Sequence, residues 1–420
     1  MAGCCGASQT RRGGSGLRAD GRWARATRLL GVATLLLAFT GIATAGAAQA
    51  SQPAPATGST WKIEPTPNPA GAEVSVLSAV SCSSGGACTA VGSHTSSPSS
   101  PGSALAERWN GKSWVIQPTA TVAGATSSEL VGVSCPSASA CTAVGSAFDT
   151  AGSRDVNVAE AWNGKSWRVQ AIPDPKGATE STLYAVSCSS ASACTAVGVY
   201  DNAAGFPRAM AERWNGMAWR IQAIPQPATR TWFFAASCSA ARACTAVGYQ
   251  NNGTGDAQPL AEAWNGTRWR ALTVSLPHGV PGGAFSAVSC TSPSACTATG
   301  TSFSATGPTL AERWNGKDWR IQPTPNPANY RESYGEVTLD GVSCTSARAC
   351  AASGEYSPGG TAAYFLESWN GKSWRLVTAP VPAGFVSGAL LGVSCHCGRC
   401  TAVGAWAGGP VGQATLAMAN

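Results

Sequence analysis

The chain has 420 residues, among them 49 Gly, 17 Cys and 16 Trp, and only 12% of its residues are charged. Its formal net charge of +7 comes mostly from the first fifty residues, and the rest of the chain carries 22 basic and 20 acidic residues. A nearly neutral chain has no excess of positive charge for a phosphate backbone, so its net charge argues against a nucleic-acid-binding protein.

Residues 1–50 have the pattern of an export signal. Six arginines precede the apolar run "LLGVATLLLAFTGIATAGAA", and the small residues Ala48 and Ala50 suit signal cleavage after Ala50. We therefore predict a secreted or cell-surface protein with no membrane attachment after cleavage. A twin-arginine route through Arg11-Arg12 and an uncleaved anchor are the alternatives. Residues 51–59, "SQPAPATGS", are predicted to be a flexible lead-in.

Seven repeats follow, marked by cysteines at intervals of 53, 53, 50, 52, 54 and 51 residues. Each unit has an apolar run such as "LVGVSC", a short Ser/Ala loop, "ACTAVG", a variable polar stretch, "LAERWNG" and then "KSWRIQPTP". Four short strands separated by turn residues are typical of a propeller blade. The sequence thus predicts an all-β, seven-bladed propeller of four-stranded antiparallel blades over residues 60–420, acting as a monomer.

The two ends of the repeat array complement each other. The segment "TWKIEPTPNP" matches only the fourth strand of a unit, and "ATLAMAN" matches only the third. We expect the N-terminal strand to complete the last blade and close the ring. The residue three positions before each first cysteine is always small, as an innermost strand requires; these residues are Ala79, Gly132, Ala185, Ala235, Ala287, Gly341 and Gly392.

The repeated cysteines are predicted to form local disulfides, because the chain is expected to be exported and other pairings must join different blades. The pairs are Cys82-Cys88, Cys135-Cys141, Cys188-Cys194, Cys238-Cys244, Cys290-Cys296, Cys344-Cys350 and Cys395-Cys400. One cysteine pair per blade supplies too few ligands for zinc, so no metal site is expected. Cys397 is left over; a redox pair with Cys400, a metal site with His396 and a free or otherwise paired thiol remain open.

The "WNGKSW" motif is predicted to be a turn. Asn-Gly favours positive φ, so strands three and four reverse there and the paired tryptophans pack near the turn. Sugar-stacking by exposed tryptophans is the alternative. The glutamate two residues before each first tryptophan is interpreted as a half-buried, hydrogen-bonded structural carboxylate; this set is Glu107, Glu160, Glu212, Glu262, Glu312 and Glu367.

The spacing E-x-W-x-G-x-x-W resembles the S-x-D-x-G-x-x-W frame of the Asp-box in sialidase-type propellers, with Gly111 and Trp114 matching and Trp109 replacing the Asp. That resemblance implies a similar turn between third and fourth strands, and no sialidase chemistry. The whole unit "VSC…CTAVG…AERWNGKSW" is similar to the cysteine-bearing propeller repeats of secreted actinobacterial proteins, a resemblance that covers nearly all of residues 60–420.

Ligand-binding residues are expected on the ring face that carries the variable connections, because rigid folds present binding residues on loops. The insert "NPANYRESYGEVTLDG" is the densest cluster. The candidates are Glu129, Tyr200, Arg208, Trp232, Tyr249, Asp256, His278, Tyr330, Arg331, Tyr334, Asp340, Tyr356 and Trp406.

The chain has three histidines, in different units, and lacks nucleophile-elbow, phosphate-loop and zinc-protease motifs. We therefore predict a non-catalytic binding module without cofactor, with an extracellular glycan as the first ligand class and a protein as the second. The alternative is a glycoside hydrolase or lyase with a loop-built site. Convergence of carboxylates such as Asp340 and Glu129 would indicate it.

Overall fold

A computed structural model describes residues 60–251, 257–303, 309–328, 337–358, 361–409 and 411–420. The proposed export signal and lead-in lie outside the described residues. The described residues form 28 β-strands and contain no α-helix. The fold is therefore all-β, as the repeat pattern predicts.

The first four blades occupy residues 74–272, with strands in chain order from the inside of the ring outwards. Their strands are β2 (Val74–Ser84), β3 (Ala87–Thr95), β4 (Ser103–Trp109) and β5 (Trp114–Gln117); β6 (Ala125–Ser137), β7 (Ala140–Asp149), β8 (Arg154–Trp162) and β9 (Trp167–Gln170); β10 (Glu180–Ser190), β11 (Ala193–Asp201), β12 (Pro207–Trp214) and β13 (Trp219–Gln222); and β14 (Arg230–Ala240), β15 (Ala243–Asn251), β16 (Gln258–Trp264) and β17 (Trp269–Leu272).

The remaining blades follow the same order. Blade 5 comprises β18 (Gly283–Ser292), β19 (Ala295–Ser302), β20 (Thr309–Trp314) and β21 (Trp319–Ile321), and blade 6 comprises β22 (Val337–Ser346), β23 (Ala349–Tyr356), β24 (Ala363–Trp369) and β25 (Trp374–Val377). Blade 7 comprises β26 (Ser387–His396), β27 (Arg399–Ala407), β28 (Ala414–Ala419) and β1 (Lys62–Glu64), the first strand of the propeller.

The first strand of each blade is the innermost. It contacts the first strand of the next blade all the way around, from β2 to β6 and finally from β26 back to β2. All pairings within the blades are antiparallel. The prediction of a seven-bladed ring is confirmed. In the last blade, Lys62 pairs with Ala419 and Glu64 with Ala417, so both ends of the described chain share one sheet.

Every innermost strand has a β-bulge just before its small residue. The small residue is needed because neighbouring blades approach closely: a Cβ on Gly132 would lie 2.9 Å from Ala185 Cα. The bulged residues are Ser78, Val131, Tyr184, Phe234, Ser286, Asp340 and Leu391.

The hydrophobic core lies between the blades. Leu130 and Val133 of blade 2, for example, pack with Ala79 and Val91 of blade 1. In several turns the second tryptophan also makes a polar contact with the preceding blade. Its Nε1 donates a hydrogen bond to a side chain at the end of that blade's outer strand or directly after it. These contacts are Trp114 to Glu64, Trp219 to Gln170 and Trp269 to Gln222 at 3.0 Å, and Trp374 to Gln322 at 3.1 Å.

All seven predicted disulfides are present, each joining β-strands one and two of a blade. The serine before each first cysteine has a separate function: its Oγ accepts a hydrogen bond from the backbone N–H of the equivalent cysteine in the next blade. These bonds join Ser81 to Cys135, Ser134 to Cys188, Ser187 to Cys238, Ser237 to Cys290, Ser289 to Cys344, Ser343 to Cys395 and Ser394 to Cys82.

Candidate functional site

The ring has two different faces. Each turn glycine between strands three and four lies against the loop between strands one and two of its own blade, as Gly164 lies against Ser139 and Gly216 against Ser192. We call this side the constant face, because these loops and turns hardly change in length. The variable face carries the loops between strands two and three and the connections between blades.

The predicted Asn-Gly turns with positive φ are present, and in each of them the glycine takes the positive φ. Gly111 has a φ of 94°, whereas the asparagines do not take positive φ. Instead, Asn110 Oδ1 accepts hydrogen bonds from the N–H groups of Lys112, at 2.9 Å, and Ser113, at 3.0 Å. The flanking tryptophans pair across the turn with ring centroids 5.7 to 5.9 Å apart. They therefore pack on each other and stabilise the turn.

An aromatic cluster lies on the two inner strands of blades 3 to 5, in the half next to the variable face. Trp232 stacks on Tyr249 with centroids 4.3 Å apart, and Phe234 lies 5.5 Å from Tyr249 and 5.8 Å from Tyr184. Phe303 is packed into the same cluster. Tyr249 and Phe303 are buried, whereas Tyr184, Trp232 and Phe234 remain partly exposed. We call these five residues the aromatic cluster.

Among the predicted ligand-binding residues that the structure describes, Trp232 and Tyr249 form a stacked pair. Tyr184, Phe234 and Phe303 were missed. The signal for two of them was the position four residues before the first cysteine, which is the bulge and varies from Ser to Phe around the ring. A pattern of alternating strand residues does not reveal a bulge, because one inserted residue changes the side on which the following side chains lie.

The other predicted residues that the structure describes lie in several blades, and among them Tyr200 and Arg208 are directly opposite each other in blade 3. Tyr200 is half-buried in blade 3, Tyr356 in blade 6 and Trp406 in blade 7, and His278 is exposed on the connection between blades 4 and 5. Burial raises the pKa of the Tyr356 hydroxyl. Arg208 donates hydrogen bonds to the carbonyls of Ala228 and Thr229. Asp256, Tyr330, Arg331 and Tyr334 lie outside the described residues.

The carboxylates considered for catalysis do not form a neighbouring pair. Glu129, in blade 2, accepts a hydrogen bond from Ser146 at 3.4 Å. Asp340 is the bulged residue of blade 6 and is fully buried, and its Oδ1 accepts from Thr338 at 3.3 Å. Blades 2 and 6 are not adjacent in the ring. Hydrolysis by a pair of carboxyl groups requires both groups to lie beside the same linkage of the substrate.

The six repeated glutamates were predicted to be half-buried and hydrogen-bonded, and this prediction was wrong in most blades. Their exposed fractions are only 0–1%. Both carboxyl oxygens of Glu107, Glu262, Glu312 and Glu367 have no hydrogen-bond partner among the described residues. Burial raises the pKa of each of these four to about 8. These side chains are therefore neutral, protonated carboxylic acids at pH 7.

A proline in the preceding blade explains why some of these glutamates lack the hydrogen bond that Glu160 accepts. Glu160 Oε2 accepts a hydrogen bond from the N–H of Ala120 at 2.9 Å, and its pKa is raised only to about 7. In the "PTP" segments before blades 1 and 6 the residue equivalent to Ala120 is Pro67 or Pro325, which has no N–H to donate. For Glu312, the residue equivalent to Ala120 is Ser275, which is not a proline. Glu312 nevertheless has no hydrogen-bond partner among the described residues, and nothing in the structure explains this.

The two faces differ strongly in charge. The variable face, with the strand halves next to it, carries most of the described acidic residues: Glu73, Glu129, Asp149, Asp155, Asp174, Glu180, Asp201, Asp340 and Glu355, against Arg154, Lys176, Arg208 and Arg230. The constant face and its outer rim carry Lys62, Arg108, Lys112, Lys165, Arg168, Arg213, Arg220, Arg242, Arg268, Arg270, Arg313, Lys317, Arg320, Arg348, Lys372, Arg375 and Arg399, against Glu64 and Asp318.

Grooves between adjacent blades open on the rim of the constant face. One, with a volume of about 620 Å³, is lined by Arg313, Arg320 and Ile321 of blade 5 and by Trp369 and Lys372 of blade 6. A second, of about 650 Å³, lies at the equivalent position between blades 7 and 1 and is lined by residues that include Lys62, Trp109, Lys112 and Arg399. The two grooves are therefore the same feature of the repeat.

A cation lies over the first tryptophan in blades 1, 2 and 4. The guanidinium carbon of Arg108 is 4.7 Å from the ring centroid of Trp162, and that of Arg213 is 5.6 Å from Trp264. Blades 2 and 4 have Ala161 and Ala263 where blades 1 and 3 have these arginines. In blade 7, where Ala419 occupies that position, the guanidinium carbon of Arg399, the first residue of β27, lies 5.4 Å from the ring centroid of Trp109.

Neither a cluster of metal ligands nor a long apolar helix occurs in the part of the chain that the structure describes. It contains no group of three or more His, Cys, Asp or Glu side chains arranged to hold a metal ion. It also contains no helix with the length and apolar character that crossing a bilayer requires. Cys397 takes part in none of the disulfides and is exposed in the last blade, with a φ of 48°.

Comparison with known proteins supports the fold. No protein-family model matches the chain, and no curated protein matches its sequence. Among solved structures, YCF48 bound to a D1 peptide has a TM-score of 0.50 at 12% identity, over 88% of this chain and 99% of that one.

Two further solved structures match less closely. The Aleuria aurantia lectin in complex with a fucosylated GlcNAc has a TM-score of 0.40 at 12% identity, covering 76% of this chain and 100% of the lectin. The Trypanosoma rangeli sialidase in complex with sialic acid has a TM-score of 0.43 at 8% identity, covering 81% of this chain and 53% of the sialidase.

Proposed function

We propose that this chain is an exported, non-catalytic binding module and that its ligand site is the aromatic cluster on the variable face. The observation that carries the proposal is the set of partly exposed rings of Tyr184, Trp232 and Phe234 on innermost strands, with the buried Tyr249 of β15 packed against Trp232 and Phe234. Partly exposed aromatic rings with polar edges are typical of recognition sites.

The proposal of export rests on the pattern of residues 1–50 and on the seven disulfides. Short-range disulfides in every blade need an oxidising compartment to form and persist. A twin-arginine route and a retained anchor remain alternatives to a cleaved export signal.

A glycan is the first ligand class. The exposed rings of the cluster are apolar surfaces that can contact a pyranose face, while Arg230 and the acidic residues around the same face supply hydrogen-bonding groups for hydroxyls. Phe206 extends this surface: it is 43% exposed, and the guanidinium carbon of Arg230 lies 5.6 Å from its ring centroid. A protein ligand is the second class.

The test is a glycan array probed with the disulfide-bonded chain secreted from an exporting host. Trp232→Ala and Tyr184→Ala remove rings from the cluster, and Phe148→Ala removes a 37%-exposed ring from blade 2 as a matched control. Thermal unfolding checks that each variant is folded. Selective binding that only the cluster variants lose supports the proposal.

Three results would count against it. If the protein binds no glycan on the array, the sugars tested are excluded as ligands and protein ligands are tested next. Selective binding that Trp232→Ala retains moves the site elsewhere on the ring. Release of reducing or unsaturated sugar ends from a polysaccharide would instead favour the alternative, a propeller hydrolase or lyase.

A further inference from the structure

Some basic side chains of the constant face are directly opposite each other, and this arrangement destabilises the sheet. In the register of strands three and four, Arg213 is directly opposite Arg220, and Arg313 is directly opposite Arg320. Like charges at directly opposed positions repel each other and destabilise a sheet. Such pairs are expected where an anionic ligand neutralises them, and the near-neutral net charge of the chain conceals this local excess.

The Arg313–Arg320 pair lines the groove between blades 5 and 6. Lys372 and the half-buried indole of Trp369 form the opposite wall, and Ser294, Asn315 and Gln322 add uncharged hydrogen-bonding groups. The described lining residues include no Asp or Glu. Two guanidinium groups and an ammonium beside an apolar ring form a site for an anionic group attached to an apolar face.

From this arrangement we propose that the basic constant face binds an acidic polysaccharide, with the groove between blades 5 and 6 as a principal site. Guanidinium groups bind carboxylate or sulfate groups, the indole packs on the sugar ring, and the amides and hydroxyl bind sugar hydroxyls. The equivalent groove between blades 7 and 1 presents Lys62, Lys112 and Trp109, and its lining also contains the ion pair of Arg399 with Glu64. Repeated sites on one rigid ring favour a polymer with repeated charges, because the second contact is intramolecular.

A polymer fits these grooves better than a membrane does. Arg313 and Trp369 are half-buried within the cleft between two blades, so a flat bilayer surface reaches them less well than a chain that enters the cleft. This site is separate from the aromatic cluster, which lies near the opposite face, so each can be tested alone.

The experiment measures binding of the secreted, disulfide-bonded chain to alginate, dextran sulfate and neutral dextran by biolayer interferometry, at about 50 mM and about 300 mM NaCl. Arg313→Gln/Arg320→Gln removes the opposed pair. Arg154→Gln/Lys176→Gln removes the same charge from the variable face and is the matched control. Phosphatidylglycerol vesicles are the membrane probe, and thermal unfolding verifies that the variants fold.

We expect alginate and dextran sulfate, but not dextran, to bind, with affinity falling at the higher salt concentration. The groove variant should lose about tenfold or more in affinity, and the control less than about twofold. Equal losses in both variants, or no binding to either acidic polymer, would overturn the proposal. Tighter binding to the vesicles than to the polymers would overturn it in favour of a membrane.

Self-association provides one further outcome. If low salt causes head-to-tail association of copies that the groove variant abolishes, while neither polymer binds, the basic face binds the acidic face of a second copy and the polysaccharide proposal fails. Because none of these variants alters the aromatic cluster, array binding lost in Trp232→Ala remains an independent result.

Discussion

The backbone N–H of Cys82 donates a hydrogen bond to Ser394 Oγ at 3.0 Å, although the two residues are 312 positions apart in the chain. It is one of seven equivalent bonds, and it joins the last blade to the first. The innermost strands have no further strand to pair with, so these serines satisfy N–H groups that are otherwise buried without a partner.

Ser394→Ala should lower the free energy of unfolding by about 1 to 2 kcal/mol, because the buried Cys82 N–H loses its acceptor. Urea unfolding followed by tryptophan fluorescence measures the loss. Ser84→Ala, at an exposed position in blade 1 on the strand that contains Cys82, is the control and should change little. Equal effects of the two substitutions would show that the interblade bond contributes no stability.

Stability should decrease from mildly acidic to alkaline pH. The buried glutamates have folded-state pKa values raised to about 8, so their contribution is fully present below the ordinary carboxyl pKa of 4.5 and is lost as the pH rises to about 8. Glu107→Gln should flatten this dependence and make the protein about 1 to 3 kcal/mol more stable than wild type above pH 8.

Urea unfolding at several pH values between about 5 and 9 tests this prediction. Asp318→Asn, at an exposed turn position, is the control and should leave the pH profile unchanged. A wild-type protein whose stability is constant across this range would contradict the neutral, buried state of the glutamates.

Ala120→Pro should raise the pKa of Glu160 from about 7 towards about 8, since it removes the N–H that stabilises the carboxylate. The substitution recreates the "PTP" sequence found in other blades, so the backbone is expected to accept it. Titration of the side-chain carboxyl carbon by NMR measures the shift. Ala120→Gly retains the N–H and should titrate as wild type does.

Leu272→Gln should stabilise the protein by about 1 kcal/mol. Trp319 Nε1 is buried and has no hydrogen-bond partner among the described residues, and Leu272 occupies the position from which Gln222 binds Trp269. Denaturant unfolding measures the gain. Leu272→Met keeps the bulk without an acceptor, so an equal gain in that variant would assign the effect to packing.

Removing one disulfide, with Cys238→Ala/Cys244→Ala, should lower the free energy of unfolding by about 2 kcal/mol, the value expected for a short closed loop. Guanidinium unfolding of the oxidised protein measures the loss. Cys397→Ser changes an exposed cysteine outside the seven disulfides and should leave the midpoint unchanged.

Local repeats determine most of the fold, and this part was predictable. The spacing of Cys82 and its equivalents gives the number of blades, and the small residue at Gly132 marks the innermost strand. The candidate sites were less predictable because they depend on contacts between blades. The groove with Arg313 and Trp369 joins residues 56 positions apart, and their proximity follows only from the closed ring.

The residue before the first tryptophan has a geometric consequence. It is arginine in blades 1, 3 and 5, alanine in blades 2 and 4 and Ser368 in blade 6, and its equivalent in blade 7 is Ala419. A pattern with a period of two blades cannot continue unbroken around a ring with an odd number of members. Blades 6 and 7 both lack the arginine, and Arg399, at the start of β27, places a cation over Trp109 and forms an ion pair with Glu64. Trp109 and Trp162, in successive blades, therefore both lie beside a cation. The basic face thus lacks full rotational symmetry, and its grooves are not equivalent to one another.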